Sequence, residues 1–150
     1  MAVARTIEVS VDIPAPIDAV WDDLARIESH AEWMTDAVAI EFLSDSRRGV
    51  GTRIRVPTRI GPLTTVDVMT FTEWEPPNRM AIAHEGKFTG MGEMVLRATR
   101  DGTTLTWREN VAFPLLFAGR LGEWAAAPIL HRIWRSNLTR FAARFGEPAA

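Results

Sequence analysis

Residues 6–13 read Thr-Ile-Glu-Val-Ser-Val-Asp-Ile, with apolar and polar positions alternating strictly over the whole run. A period of two predicts a strand with Ile7, Val9, Val11 and Ile13 on its inward face. Pro14 and Pro16 end it. The period then lengthens. Ile17, Val20, Leu24 and Ile27 recur at helical spacing opposite Asp18, Asp22, Asp23 and Arg26, which predicts a short amphipathic helix with acids near its positive N-terminal end. Ser29-His30-Ala31-Glu32 has the form of a capping box and predicts a second, shorter helix running into Trp33 and Met34.

From Ala37 to Phe113 the period is again mostly two. Turn signals at Arg48-Gly49-Val50-Gly51, Ile60-Gly61-Pro62, Glu75-Pro76-Pro77-Asn78, Glu85-Gly86 and Asp101-Gly102 divide this region into strands near 37–44, 52–58, 63–74, 79–85, 88–98 and 103–113. The connections are too short for crossover helices, so the sheet is antiparallel throughout. Residues 115–145 return to a helical period, but its phase changes. Phe117, Leu121 and Trp124 share one face; Leu130, Ile133, Trp134, Leu138, Phe141 and Phe145 share another. Pro128 lies between the two groups, which predicts two helical pieces joined by a kink or break.

The pattern defines an α+β fold: seven antiparallel strands, two short helices after the first strand, and a long C-terminal helix. A strongly twisted sheet leaves a concave face that only the C-terminal helix has the apolar stripe to cover. A straight helix cannot touch a curved sheet everywhere, and the gap between them is a cavity lined by inward-facing apolar residues.

Composition narrows the function by exclusion. The chain has 150 residues, 47% hydrophobic and 24% charged, a balance that excludes extended disorder and a membrane-spanning protein. A formal net charge of −2 gives no bulk drive toward nucleic acid or anionic lipid. Without cysteine there is no disulfide, no thiolate nucleophile and no sulfur-ligated zinc. Lys87 is the single lysine, so a Schiff base has one candidate, and with no tyrosine no phenol serves as acid or donor. No repeat, linker, signal-peptide pattern or membrane-length apolar run is visible, so the expectation is one domain over residues 1–150 in the cytoplasm, a monomer or homodimer.

Several local motifs carry a resemblance. They are the first strand ending in Pro14-Ala15-Pro16, then Ala19-Val20-Trp21, Glu32-Trp33-Met34 and Gly49-Val50-Gly51-Thr52. Val68 to Arg79 (Val-Met-Thr-Phe-Thr-Glu-Trp-Glu-Pro-Pro-Asn-Arg) and Asp101-Gly102-Thr103-Thr104-Leu105-Thr106-Trp107 complete them. Over nearly its whole length the chain resembles the START-like superfamily, in its polyketide cyclase/dehydrase (SRPBCC) branch. The resemblance implies a helix-grip fold around a deep hydrophobic pocket. It covers members as different as lipid and hormone carriers and polyketide aromatase/cyclases.

Two residues are candidates for chemistry. Glu109 shares the parity of Leu105, Trp107, Val111 and Phe113, and a carboxylate on an apolar interior face is unfavourable unless paired or protonated. It is either a general acid/base, or a residue at the cavity mouth or paired with a neighbouring arginine. His84 shares the parity of Met80 and Ile82 and either moves protons near neutral pH or is a half-exposed histidine at a strand end. Trp33, Met69, Met80, Ile82, Met94, Trp107, Trp134 and Phe141 fall at core-facing positions that double as pocket lining in a cavity fold. Asn137, in the centre of the last helix's apolar stripe, holds either a ligand's polar group or a partner within the protein. One bulge would reverse the facing of Asp67 and Glu93, and Gly90 and Gly92 mark either a close approach or, the reading adopted here, a bend. His30, His84 and His131 lack ligand spacing, so no metal or other cofactor is expected.

The expected function is therefore the binding of a hydrophobic small molecule (lipid, polyketide, isoprenoid or aromatic) between sheet and helix. The alternative is a cofactor-free polyketide aromatase/cyclase or dehydrase in which Glu109 or His84 moves protons. The resemblance implies that cyclases of the family usually supply several polar pocket groups, often including tyrosine or arginine. The absence of tyrosine places binding first.

Overall fold

The computed structural model describes residues 5–86, 88–112 and 119–146. Seven strands form one antiparallel sheet: β1 (Arg5–Ile13), β2 (Glu41–Phe42), β3 (Arg53–Ile60), β4 (Leu63–Glu75), β5 (Arg79–Glu85), β6 (Thr89–Thr99) and β7 (Gly102–Ala112). Their spatial order is β1-β7-β6-β5-β4-β3-β2, a meander closed at one edge by the return of β1 against β7. Helices α1 (Ile17–Leu24) and α2 (His30–Trp33) follow β1, and α3 (Gly119–Ala142) crosses the concave face. This is the predicted architecture.

Register fixes which side chains face inward. Ile54, Met69, His84 and Gly90 stand in line across β3 to β6, and Met80, Met94, Trp107 and Val9 in line across β5, β6, β7 and β1. A bulge between Phe71 and Glu73 shifts the parity of β4 and brings Trp74 to the inner side, edge-on to Phe71 and Trp21 at 5.5 Å. The solid core lies toward α1 and α2, where Val20, Leu24, Ile27, Trp33, Leu138 and Phe141 are all but inaccessible to solvent. Indole and phenyl rings of Trp33 and Phe141 meet at 5.0 Å there.

Local expectations fail in three places. The capping box does not form: a 3-10 turn (Ile27–Ser29) runs straight into α2, and the Ser29 hydroxyl donates backward to the Arg26 carbonyl at 2.7 Å. Strand β2 shrinks to two residues, with only an isolated bridge, Ala37 to Thr58, before it. Finally, α3 runs through Pro128 without a break. Pro128 and Trp124 both lie on the exposed face, where water can take the carbonyl that proline leaves without a donor. The change of phase reflects that outward face: Leu121 and Trp124 are 68% and 65% exposed. Phe113, Phe117 and Lys87 lie outside the described residues.

Candidate functional site

A cavity of about 330 Å3 lies between the sheet and α3. Met80, Ile82, Met94 and Trp107 form its floor, while Ala126, Leu130 and Trp134 of α3 form its roof. Trp107 and Trp134 stack across it, ring centres 5.0 Å apart at an interplanar angle of 24°. Leu63 and Ile129 both line the cavity and are 41% and 56% exposed, which places its mouth between the β3–β4 turn and α3.

At one wall the apolar lining gives way to a polar cluster. Glu109 on β7 and His84 on β5 point inward across the intervening β6, whose Gly92 stands opposite both Glu109 and Ile82. His84 Nε2–H donates to Glu109 Oε2 at 2.7 Å, the tautomer that a carboxylate acceptor selects. Trp107 Nε1–H donates to Oε1 at 3.0 Å. Both side chains of the pair are more than nine-tenths buried, and His84 Nδ1 is buried without a hydrogen-bond partner. Burial by itself lowers the imidazole's pKa. The charge and hydrogen bond of Glu109, helped by Asp67, more than offset this and hold it above its ordinary 6.5.

Asp67 completes the wall. Its parity in β4 is that of Thr65, Met69 and Phe71, and the bulge comes after it, so it faces inward. Its Oδ2 accepts from the Thr58 hydroxyl at 3.0 Å. Glu93 faces the opposite way: its carboxylate accepts from Arg79 Nε (2.8 Å) and Arg108 (2.9 Å) on the convex side.

The structure thus brings Glu109 and His84 together and sets Met69, Met80, Ile82, Met94, Trp107 and Trp134 on the cavity wall. Trp33, Asn137 and Phe141 stand behind the wall, in the core. Asn137 is wholly buried and spends its amide on the protein, accepting from the Thr35 backbone N–H (3.0 Å) and hydroxyl (3.1 Å) and donating to Asp36 (2.8 Å). Gly92 marks a close approach and not merely a bend, since the Glu109 carboxylate occupies the space a side chain would take. His30, unassigned from the sequence, also borders the cavity; burial holds its pKa down at about 4, with its Nε2–H donating to the Leu24 carbonyl at 2.7 Å. Among the described residues no group of side chains is arranged to hold a metal, and no helix is long and apolar enough to cross a membrane.

A curved antiparallel sheet gripping a helix over an internal cavity defines the class, a helix-grip protein. Residues 4–146 match the family described as "Polyketide cyclase / dehydrase and lipid transport", and the chain belongs to that family. No curated protein sequence matches it. Among solved structures, TTHA0849 from Thermus thermophilus is similar (TM-score 0.78, 18% identity, 94% of this chain and 97% of that one). So is the Zhui aromatase/cyclase from a Streptomyces species (TM-score 0.75, 18% identity, 93% and 92%). StfQ, a di-domain ARO/CYC from the steffimycin biosynthetic pathway, matches over 95% of this chain but 50% of its own (TM-score 0.75, 13% identity). At such identities the likeness is one of fold.

Proposed function

We propose that the protein binds a compact, mostly apolar small molecule in the cavity between the sheet and α3. The observation that carries this reading is the cavity itself: about 330 Å3 with a predominantly apolar lining and one polar wall. That volume sits at the lower end of the roughly 300–1,000 Å3 typical of small-molecule sites, which favours a few fused rings or a short isoprenoid over a long-chain lipid. Methionines 69, 80 and 94 give the wall side chains that adapt to varied apolar shapes. An environment-sensitive apolar dye is expected to bind and to be displaced by polycyclic compounds. A folded protein that takes up neither at high micromolar concentration rejects the reading.

A second reading, proton-transfer catalysis on a polyketide-like carbonyl compound, draws on the His84–Glu109 contact at 2.7 Å. An imidazole oriented by a carboxylate in an apolar enclosure is a general acid/base arrangement. That two structurally similar proteins, Zhui and StfQ, are an aromatase/cyclase and a di-domain ARO/CYC supports the same reading. Under it, Glu109→Gln and His84→Ala abolish turnover of a poly-β-ketone analogue while circular dichroism shows the fold retained. Unchanged turnover in both variants removes it.

A further inference from the structure

The polar wall is unbalanced in charge. Asp36, Asp67 and Glu109 border the cavity, and among the described residues no Arg or Lys does. Glu109 has both carboxylate oxygens engaged, by His84 and Trp107, and Asp36 has one, which accepts from the Asn137 amide at 2.8 Å. Glu93 touches the cavity too, but its carboxylate is paired with Arg79 and Arg108. His30 stays neutral at pH 7, with its pKa at about 4. Asp67, like Asp36, accepts at one oxygen only, but it stands on β4 among the inward-facing Thr65, Met69 and Phe71, on the same wall as His84. Thr58 holds the Asp67 Oδ2 at 3.0 Å, while Oδ1 has no partner among the described residues and is not sealed within them.

Resting on the reading that the cavity takes a small molecule, we propose that Asp67 selects it. The free Oδ1 accepts a hydrogen bond from a hydroxyl or amine on an apolar body, and the wall of Asp36, Asp67 and Glu109 keeps carboxylates and other anions out. A donor meeting a carboxylate in a low-dielectric site makes a charge-assisted hydrogen bond, about twice as strong as a neutral one. An anion brought to the same place loses its hydration and finds no arginine or lysine among the described lining residues, while the His84 Nε2–H is already committed to Glu109. The titration of Asp67 agrees with this geometry. Burial raises its pKa above 3.8, with Glu109 and Asp36 adding to the rise and Thr58 and His84 opposing it, as for a carboxylate whose charge is incompletely matched. The ligand class is thereby narrowed to neutral or cationic donors such as phenols, alcohols and amines, and fatty acids fall outside it.

Three probes with one apolar body make the test: naphthalene, 2-naphthol and 2-naphthoate, titrated into the full chain at pH 7.5. The wild type is expected to bind naphthol about tenfold more tightly than naphthalene and to bind naphthoate at least about tenfold more weakly than naphthalene. In Asp67→Asn, a nearly isosteric change that can keep the Thr58 contact, naphthoate gains about tenfold while naphthalene is unchanged. Naphthoate binding the wild type as tightly as naphthol overturns the proposal and leaves the cavity reading standing, and this arm needs no variant to fold. Discrimination that survives intact in Asp67→Asn also overturns it. If none of the three binds, the cavity reading falls and this inference falls with it.

Discussion

The Glu109 carboxylate lies directly against Gly92 on the neighbouring strand: a Cβ at that position would meet Glu109 Oε1 at 2.6 Å and the carboxyl carbon at 2.8 Å. The two residues are register partners between β6 and β7, so the carboxylate crosses over the glycine on its way to His84. Gly92→Ala is therefore expected to push the carboxylate off the imidazole and destabilise the protein by about 1–3 kcal/mol, the usual range for overpacking a filled site. Thermal denaturation and the His84 ring resonances check both halves. An alanine variant with wild-type stability and unshifted resonances rejects the account.

Glu109→Gln removes the charge that holds the His84 pKa up. Burial then dominates, and the imidazole is expected to titrate below 6.5 where the wild type titrates above it. The sign for stability follows from linkage. A raised histidine contributes fully below its unfolded pKa of 6.5, and the contribution is lost as pH rises through the folded value. Stability of the wild type minus that of Glu109→Gln should therefore fall across that window. Histidine NMR titration with chemical denaturation at several pH values measures it; identical His84 titration in both proteins sinks the prediction.

His30 acts in the opposite sense. Its folded pKa of about 4 lies below the ordinary 6.5, so its stabilising effect is complete above 6.5 and is lost as pH falls toward 4. Between pH 7 and pH 5 this group alone accounts for on the order of 2 kcal/mol. His30→Gln, which can still donate to the Leu24 carbonyl, is expected to remove that share of the acid sensitivity. Urea unfolding at the two pH values decides it: an equal loss in wild type and variant counts against the assignment.

Asn137→Leu separates core from cavity. The change strands the Thr35 backbone N–H and takes the amide donor from Asp36, so a loss of about 2–4 kcal/mol is expected. Because Asn137 is not on the cavity wall, the affinity of folded protein for an apolar dye should not change. A large loss of dye affinity at wild-type stability would show the reverse division of labour.

Most of the fold was legible because one face of each long strand is buried, so period two survives in the residues themselves. Asp67 was equally readable in principle: the run Leu63, Thr65, Asp67, Met69, Phe71 holds its parity until the bulge at Phe71/Glu73. What sequence spacing could not show was partnership. His84 and Glu109 stand 25 positions apart and meet only because β6 lies between their strands. Asn137 shows the same gap, since its three hydrogen bonds go to Thr35 and Asp36, about a hundred residues away. In α3 the apolar stripe was correctly read at its C-terminal end, but Leu121 and Trp124 face solvent, and hydrophobicity alone does not say which side of a helix is covered.

The stacked indoles of Trp107 and Trp134 give the protein a built-in optical reporter. With their centres 5.0 Å apart, one on the floor and one on the roof, their transition dipoles are strongly coupled, and no tyrosine contributes to the ultraviolet spectrum. An occupant that tilts the helix against the sheet must alter that exciton signal, so occupancy can be followed by circular dichroism without any label.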